Sequence, residues 1–202
     1  MIAVIDYGMG NLRSVSKALE NLGGRVKVSS DPREIAACDK AVLPGVGAFG
    51  DASAELKSRG LWDCTLAFLN SGKPFLGICL GLQLLLETSE ESPGAPGFGF
   101  LKGSVRRFTA ASGLKVPHMG WNQIKILRPH PLLKGVADAS YFYFVHSYYA
   151  LPADRETVVA ECQYGAGTFA AILGRENVFA TQFHPEKSQE AGLQILKNFL
   201  EW

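Results

Sequence analysis

The first eighty residues alternate between short apolar runs and segments with helical periodicity. Each apolar run has the length and composition of a strand buried in a parallel sheet. The runs are IAVID (2–6), RVKVSS (25–30), KAVLPG (40–45) and KPFLGIC (73–79). Helical segments follow the first run and separate the last two: LRSVSKALENLG (12–23), DASAELKSRG (51–60) and GLWDCTLAFLNSG (60–72). This alternation predicts an α/β fold with a parallel central sheet and helices on both faces.

The second half is dominated by strand-like runs separated by turn residues. They are SVRRF (104–108), NQIKI (122–126), YFYFVHSYYAL (141–151), TVVAEC (157–162), TFAAIL (168–173) and NVFATQF (177–183). We expect these runs to form an antiparallel β extension from about Gly103 to Gln182. The last segment (188–202) is predicted to be a helix with an apolar face. That face comprises Leu193, Ile195, Leu196, Phe199 and Leu200. Together the two halves predict a single α/β domain over residues 1–202.

Composition and charge exclude several classes of protein. The chain has 202 residues, 47% of them hydrophobic, and a net charge of +1, which argues against nucleic acid or a membrane as partner. Its four cysteines form no Cys-x-x-Cys pair, which argues against a disulfide framework or a structural zinc site. The acid at position 6 argues against a signal peptide, and the longest apolar stretch is too short to span a bilayer. We therefore expect a cytoplasmic protein without a metal.

The stretch FLGICLG (75–81) places Cys79 where an apolar run gives way to glycines. The pattern Gly-x-Cys-x-Gly is similar to a nucleophile elbow, where a strained strand-to-helix turn exposes a reactive side chain. Glycines at 77 and 81 would let neighbouring chain pass close to the bend. The alternative is an inert buried cysteine at an ordinary strand–helix junction.

Among the four histidines, His184 has the sequence context best suited to catalysis. Pro185 favours an extended backbone at His184, and residues two apart in an extended chain project to the same side. Glu186 can therefore orient the imidazole, which would act as base for Cys79. His118 and His146 fit hydrogen-bonded structural positions better, and His130 a loop. The alternative for the FHPE stretch is a surface turn.

The stretch GVGAFG (45–50) matches the dinucleotide-binding pattern Gly-x-Gly-x-x-Gly. However, it does not follow the first strand, and Pro44 precedes it. The second interpretation is an oxyanion site, in which this loop and the amide of Leu80 supply backbone N–H groups.

The ordered set of motifs resembles the class I (triad-type) glutamine amidotransferases. The motifs are DYGMGNL (6–12), LPGVGAFG (43–50), GICLGLQLL (77–85), HMGWN (118–122), FVHSYY (144–149) and QFHPEKS (182–188). The resemblance covers essentially the whole chain. It implies a flavodoxin-like class I glutamine amidotransferase fold in which Cys79, His184 and Glu186 form the catalytic triad.

The same resemblance implies roles for further residues, and no cofactor. Oxyanion contacts would come from the backbone of Val46, Gly47 and Leu80, with a flip of the loop peptide turning its N–H inward. Glutamine, the substrate, would be bound by Gln83, Glu91, Ser147 and Tyr148.

The wider motif set is most similar to family members that pass ammonia to a (β/α)8-barrel cyclase subunit in histidine biosynthesis. A heterodimer is then expected, with Asn11, Trp121, Tyr143 and Lys187 facing the partner. Three alternatives remain open: a glutaminase subunit of another pathway, a free-standing cysteine hydrolase, and a binding module without activity.

Overall fold

The computed structural model of the protein describes residues 1–109 and 114–202. Strands and helices alternate through its first part, as the sequence pattern predicts. In chain order they are β1 (Ile2–Ile5), α1 (Leu12–Asn21), β2 (Val26–Ser29), α2 (Pro32–Ala36), β3 (Lys40–Gly45), α3 (Phe49–Ser58), α4 (Leu61–Leu69), β4 (Phe75–Cys79) and α5 (Leu80–Gln83). Strands dominate the remainder: β5 (Thr88–Ser89), β6 (Gly103–Arg107), β7 (His118–Ile126), β8 (Tyr141–His146), β9 (Tyr148–Pro152), β10 (Val158–Tyr164), β11 (Gly167–Arg175) and β12 (Val178–Thr181), followed by α6 (Gln189–Glu201).

In the described residues, nine strands form one sheet in the order β2-β1-β3-β4-β12-β11-β10-β7-β8. The five strands from β2 to β12 run parallel, and the remaining neighbours are antiparallel. The parallel order is that of flavodoxin-like folds. A smaller sheet in the order β5-β6-β9 lies beside it. The predicted fold class is therefore confirmed.

Both faces of the parallel sheet are buried. Successive strand residues point to opposite sides, so each face contributes to a separate apolar cluster. Ala3 and Ile5 pack in one apolar cluster with residues of α2, α3 and α4. Ile2 and Val4 pack in a second cluster with residues of α1 and α6. Helices thus cover both faces. Among the described residues, no helix is both long and apolar enough to cross a membrane.

Two strand predictions need correction. The run NVFATQF is expected in the antiparallel extension; β12 within it does pair antiparallel with β11, but its other neighbour is β4, to which it runs parallel. The run YFYFVHSYYAL is not one strand: it divides at Ser147 into β8 of the large sheet and β9 of the small one. Six of the eleven residues of this run are Phe or Tyr, and it carries no glycine or proline to signal that break.

Two helix predictions also differ from the structure. The five-residue helix α2 was not predicted, because so short a segment shows no periodicity; Asp31 caps it, and Pro32 occupies its first position. The apolar face predicted for α6 was too wide. Leu193 is 37% exposed, whereas Ile195 and Phe199 are fully buried. Leu193 lies roughly 120° around the helix from Phe199, at about 100° per residue.

Candidate active site

Cys79 ends β4 with a backbone that only a sharp turn produces. Its φ is 55° and its ψ is −104°, and α5 begins at the next residue. A positive φ is costly for a non-glycine residue and persists only where the surroundings enforce it. Here neighbouring chain passes very close: a Cβ on Gly77 would lie 2.8 Å from the carbonyl oxygen of Gly81, and one on Gly81 would overlap that of Leu43. Glycine is therefore required at 77 and 81 because any Cβ would clash with a backbone carbonyl, and not because of an unusual φ.

His184 and Glu186 reach the same edge of the sheet, because β12 lies next to β4 and parallel to it. The Nδ1 of His184 lies 2.9 Å from Oε1 of Glu186, and both side chains are buried. The same oxygen accepts a hydrogen bond from Nδ2 of Asn11 (3.2 Å). The predicted proximity is present, but by a different route: Pro185–Lys187 forms a 3-10 turn rather than extended chain.

The electrostatics around His184 favour its charged form. Burial lowers the pKa of His184, but neighbouring Cys79 and Glu186 outweigh this and raise it from 6.5 to about 10. Within the described residues, Nε2 of His184 is buried without a hydrogen-bond partner. The carboxylate thus fixes one ring nitrogen and leaves the other free to exchange a proton.

A cavity of about 380 Å³ opens beside Cys79. All the residues predicted from the sequence to bind substrate or oxyanion line it, together with Cys79 and His184. They are Val46, Gly47, Leu80, Gln83, Glu91, Ser147 and Tyr148. Glu186 lies behind His184. The site collects at the carboxyl ends of parallel strands, which is where open α/β sheets bind ligands.

The glycine-rich loop forms one wall of this cavity. Gly45 is the register partner of Cys79 across β3 and β4, and the loop continues through Val46 and Gly47 into α3. Gly47 has a φ of 99°, which favours glycine. The Gly-x-Gly-x-x-Gly pattern therefore borders the cysteine cavity after the third strand, not the first.

Several cavity residues are already hydrogen-bonded within the protein. Oε2 of Glu91 accepts from the backbone N–H of Phe49 (2.8 Å), at the start of α3. The carbonyl of Tyr148 accepts from Nε2 of Gln83 (2.9 Å) and faces Nδ1 of His146 (2.8 Å). Both acceptor positions of that carbonyl are therefore used.

Sequence reasoning missed four residues beside Cys79. Pro117, Val145 and His146 line the cavity. Gln182 is fully buried, and its Nε2 donates to Sγ of Cys79 at 3.7 Å. The signal for Gln182 was available, because it is two residues before His184 in the same extended segment.

Two other histidines form a hydrogen-bonded pair, as the structural interpretation of them predicts. Nδ1 of His118 lies 3.0 Å from Nε2 of His146. Burial lowers the pKa of His118 to about 4 and that of His146 to about 3, so both rings are neutral at pH 7. Since His146 must donate through Nδ1 to the Tyr148 carbonyl, its Nε2 accepts from His118.

The residues predicted to face a partner lie at or near the edge strand β8. Trp121 on β7 is 46% exposed and packs against the half-buried Tyr143, their ring centroids being 6.0 Å apart. Met119 and Tyr141, which were not predicted, extend the exposed apolar strip. Lys187 is exposed.

Asn11, which is also predicted to face the partner, donates a hydrogen bond from its side-chain amide to Glu186 of the triad.

Within residues 1–109 and 114–202, no group of three or more acidic, histidine or cysteine side chains is placed to hold a metal ion.

A cysteine elbow on a flavodoxin-like sheet, with a carboxylate-bound histidine beside it, is the arrangement expected of a class-I glutamine amidotransferase. The family model described as "Glutamine amidotransferase class-I" matches residues 3–202. The chain belongs to this family and is an enzyme.

Closely similar relatives carry one more specific description. The protein from Nitrosococcus oceani is 54% identical over 100% of this chain and 97% of its own length. That from Methanothermobacter thermautotrophicus is 55% identical over 100% and 98%, respectively. Both are described as imidazole glycerol phosphate synthase subunit HisH.

Solved structures of lower identity share the fold. A crystal structure of a glutamine amidotransferase has a TM-score of 0.76 at 19% identity, covering 100% of this chain and 98% of its own. The structure of PurLQS from Thermotoga maritima has a TM-score of 0.74 at 20% identity, covering 99% and 97%.

Proposed function

We propose that this chain is the glutaminase subunit of imidazole glycerol phosphate synthase. It hydrolyses glutamine to glutamate and ammonia, and the ammonia passes to a cyclase subunit that forms imidazole glycerol phosphate and aminoimidazole carboxamide ribotide in histidine biosynthesis. The observation that carries the chemistry is the convergence of Cys79, His184 and Glu186 at one edge of the sheet. The similarity to HisH subunits over the whole chain supports the pathway.

In this mechanism the sulfur of Cys79 attacks the side-chain amide carbon of glutamine. A charged imidazole beside the cysteine favours the thiolate, which is the reactive form. The free Nε2 of His184 carries the proton that the departing amine takes up, so ammonia leaves and a glutamyl thioester remains. Water, activated by the now neutral imidazole, then hydrolyses the thioester. Glu186 holds the ring orientation through both steps.

Negative charge develops on the carbonyl oxygen of the substrate during both steps. Leu80 is the first residue of α5 and directly follows the nucleophile, so its backbone N–H lies beside Cys79. Val46 and Gly47 line the same cavity. We assign the oxyanion contacts to these groups. Losing one such donor typically costs roughly 10²–10³ in kcat. Glu91, which already caps α3, has its other carboxylate oxygen available for the substrate α-ammonium group.

We further propose that a (β/α)8-barrel cyclase binds over the strip formed by Trp121 and Tyr143, giving a heterodimer. An exposed aromatic side chain together with a basic residue makes an effective interface anchor, whereas an exposed lysine alone contributes little; Lys187 is therefore expected to act with the aromatic strip. The strip lies close to the triad, because the backbone N–H of His184 donates to the Tyr143 carbonyl (3.0 Å). Asn11 would connect partner and triad through its bond to Glu186.

Reconstitution with the cyclase tests this function directly. Cys79→Ala should abolish glutamine-dependent product formation in the assembled pair but leave synthesis from a high concentration of ammonium salt nearly intact. The reason is that the cyclase needs only ammonia as its nucleophile. Loss of both activities in an assembled complex would contradict the proposal.

A charge reversal at the interface tests the partner. Lys187→Glu should weaken assembly and uncouple glutamine hydrolysis from product formation. The matched control is Lys197→Glu, the same change at an exposed position on α6. Equal coupling and equal affinity in both variants would exclude this docking face. Full activity of the isolated chain on amides other than glutamine would instead favour a free-standing hydrolase.

A further inference from the structure

Gln182 occupies a position that nothing in the proposed mechanism uses. It lies between the end of β12 and His184, and its side chain is fully buried. Its Nε2 lies 3.7 Å from Sγ of Cys79, within hydrogen-bonding distance for sulfur, and its Oε1 accepts from Nε2 of Gln83 at 3.2 Å. A buried amide needs partners at both ends, and here the nucleophile is one of them.

The direction of these hydrogen bonds is fixed by a backbone carbonyl. The Tyr148 carbonyl can only accept, so Gln83 must turn its NH₂ group towards it (2.9 Å). The second hydrogen of that NH₂ group then points to Oε1 of Gln182. The NH₂ group of Gln182 therefore faces Cys79. If the Gln182 amide were flipped, its NH₂ group would face the NH₂ group of Gln83, and two donors would oppose each other. The chain of bonds therefore presents a donor, never an acceptor, to the sulfur.

We propose that Gln182 is a positioning residue that donates an amide N–H to the thiolate of Cys79. The inference deepens the proposed glutaminase function and rests on Cys79 as its nucleophile. An anionic sulfur gains more from a donor than a neutral thiol does, so the contact favours the attacking form. It also favours release of the sulfur when water breaks the thioester, because that bond cleavage returns the electron pair and the negative charge to the sulfur.

Other titratable groups face Cys79 as well. His184, with Glu186 behind it, comes from the segment after β12, Tyr7 from the segment after β1, and Glu91 and His146 line the same cavity. A substitution confined to Gln182 leaves all of them in place. The effect of the amide can therefore be separated from theirs.

The test measures the pH dependence of Cys79 alkylation by iodoacetamide in the full chain, followed by mass spectrometry. Gln182→Met keeps the length and removes the donor; Gln182→Glu keeps the shape and replaces the donor with a negative acceptor. We expect the midpoint of alkylation to rise by about 0.5–1 pH unit in Gln182→Met, and further in Gln182→Glu. The control, Gln194→Met on α6, should leave the midpoint unchanged.

Unchanged midpoints in both Gln182 variants, with thermal unfolding like that of the parent, would overturn the proposal, even with glutamine hydrolysis established. A shifted midpoint in a chain that never hydrolyses glutamine would support the contact and reject the proposed function. Where Gln182→Met fails to fold, Gln83→Met removes the bond that orients Gln182. A raised midpoint there supports the proposal, and an unchanged one overturns it.

Discussion

The four thiols of the chain are distinguished less by how deeply they are buried than by the charged groups next to them. Burial raises the pKa of Cys162 to about 12, and burial also raises the pKa of Cys38 and of Cys64. These three thiols stay protonated at neutral pH and react slowly, since the thiolate is the nucleophile. Cys79 alone among them faces a charged imidazole in the cavity beside the glycine-rich loop, whereas Cys64 lines a separate cavity with no histidine in it.

A glutamine-like electrophile should therefore label only Cys79 at pH 7. Cys38→Ala, Cys64→Ala and Cys162→Ala should each keep glutamine turnover within about twofold of the parent, because none of these thiols lines the cavity. Peptide mapping after labelling gives the site. Modification of one of the other cysteines in the native protein would contradict the assignment of the nucleophile.

At this scale the sequence reveals partners that are close along the chain and hides those that are distant. Glu186 could be paired with His184 because two residues separate them. The bond from Asn11 to Glu186 crosses 175 positions, and the bond from Gln83 to the Tyr148 carbonyl crosses 65. No local pattern contains such distances. They follow only from the order of the strands.

At the scale of elements, the junction between β4 and α5 depends on two close approaches of backbone to backbone. The tighter one is at Gly81, where any Cβ would overlap the Leu43 carbonyl in β3. That oxygen belongs to a central strand and cannot move without disturbing the sheet. Even an added methyl group cannot be accommodated locally.

Gly81→Ala should therefore destabilise the protein by at least the 1–3 kcal/mol typical of overpacking, and abolish activity. The matched control is Gly167→Ala at the start of β11, where no atom lies within 4 Å of the added methyl group. Its effect should stay within about 0.5 kcal/mol. Urea unfolding measures both variants, and equal stabilities would show that the junction relaxes more easily than its distances indicate.

Elements were predictable where periodicity or composition marks them. The parallel strands and the longer helices followed from apolar runs and helical spacing. The break at Ser147 did not, because aromatic, strand-prone residues stand on both sides of it and the two strands differ in the sheet that each one joins. Register and sheet membership depend on long-range pairing, which local propensity does not encode.

For the molecule as a whole, buried histidines set the pH range of stability. Burial lowers the pKa of His118 and His130 to about 4 and that of His146 to about 3. Their stabilisation is complete above the unfolded value near 6.5 and is lost as the pH falls towards 4. His184, with its pKa raised to about 10, acts oppositely: its contribution is complete below 6.5 and is lost as the pH rises towards 10.

The free energy of unfolding should accordingly fall between pH 7 and pH 5. The slope should be up to about 1.4 kcal/mol per pH unit for each histidine that takes up a proton on unfolding. Urea unfolding at several pH values measures it, and carboxylates interfere little because they are largely ionised above pH 5. Constant stability across this range would show that the buried rings accept protons while folded.

The edge strand β8 is closed by the segment that carries the triad histidine. The Tyr143 N–H donates to Oγ of Ser188 (2.9 Å), and the Tyr143 carbonyl accepts from the His184 N–H. Unpaired edge groups of this kind recruit strands from other copies and lead to aggregation. Substitutions that loosen residues 184–188 should therefore cause the protein to aggregate and precipitate, and this should be visible before any turnover is assayed. A screen for soluble expression alone would, in this protein, select for an intact catalytic loop.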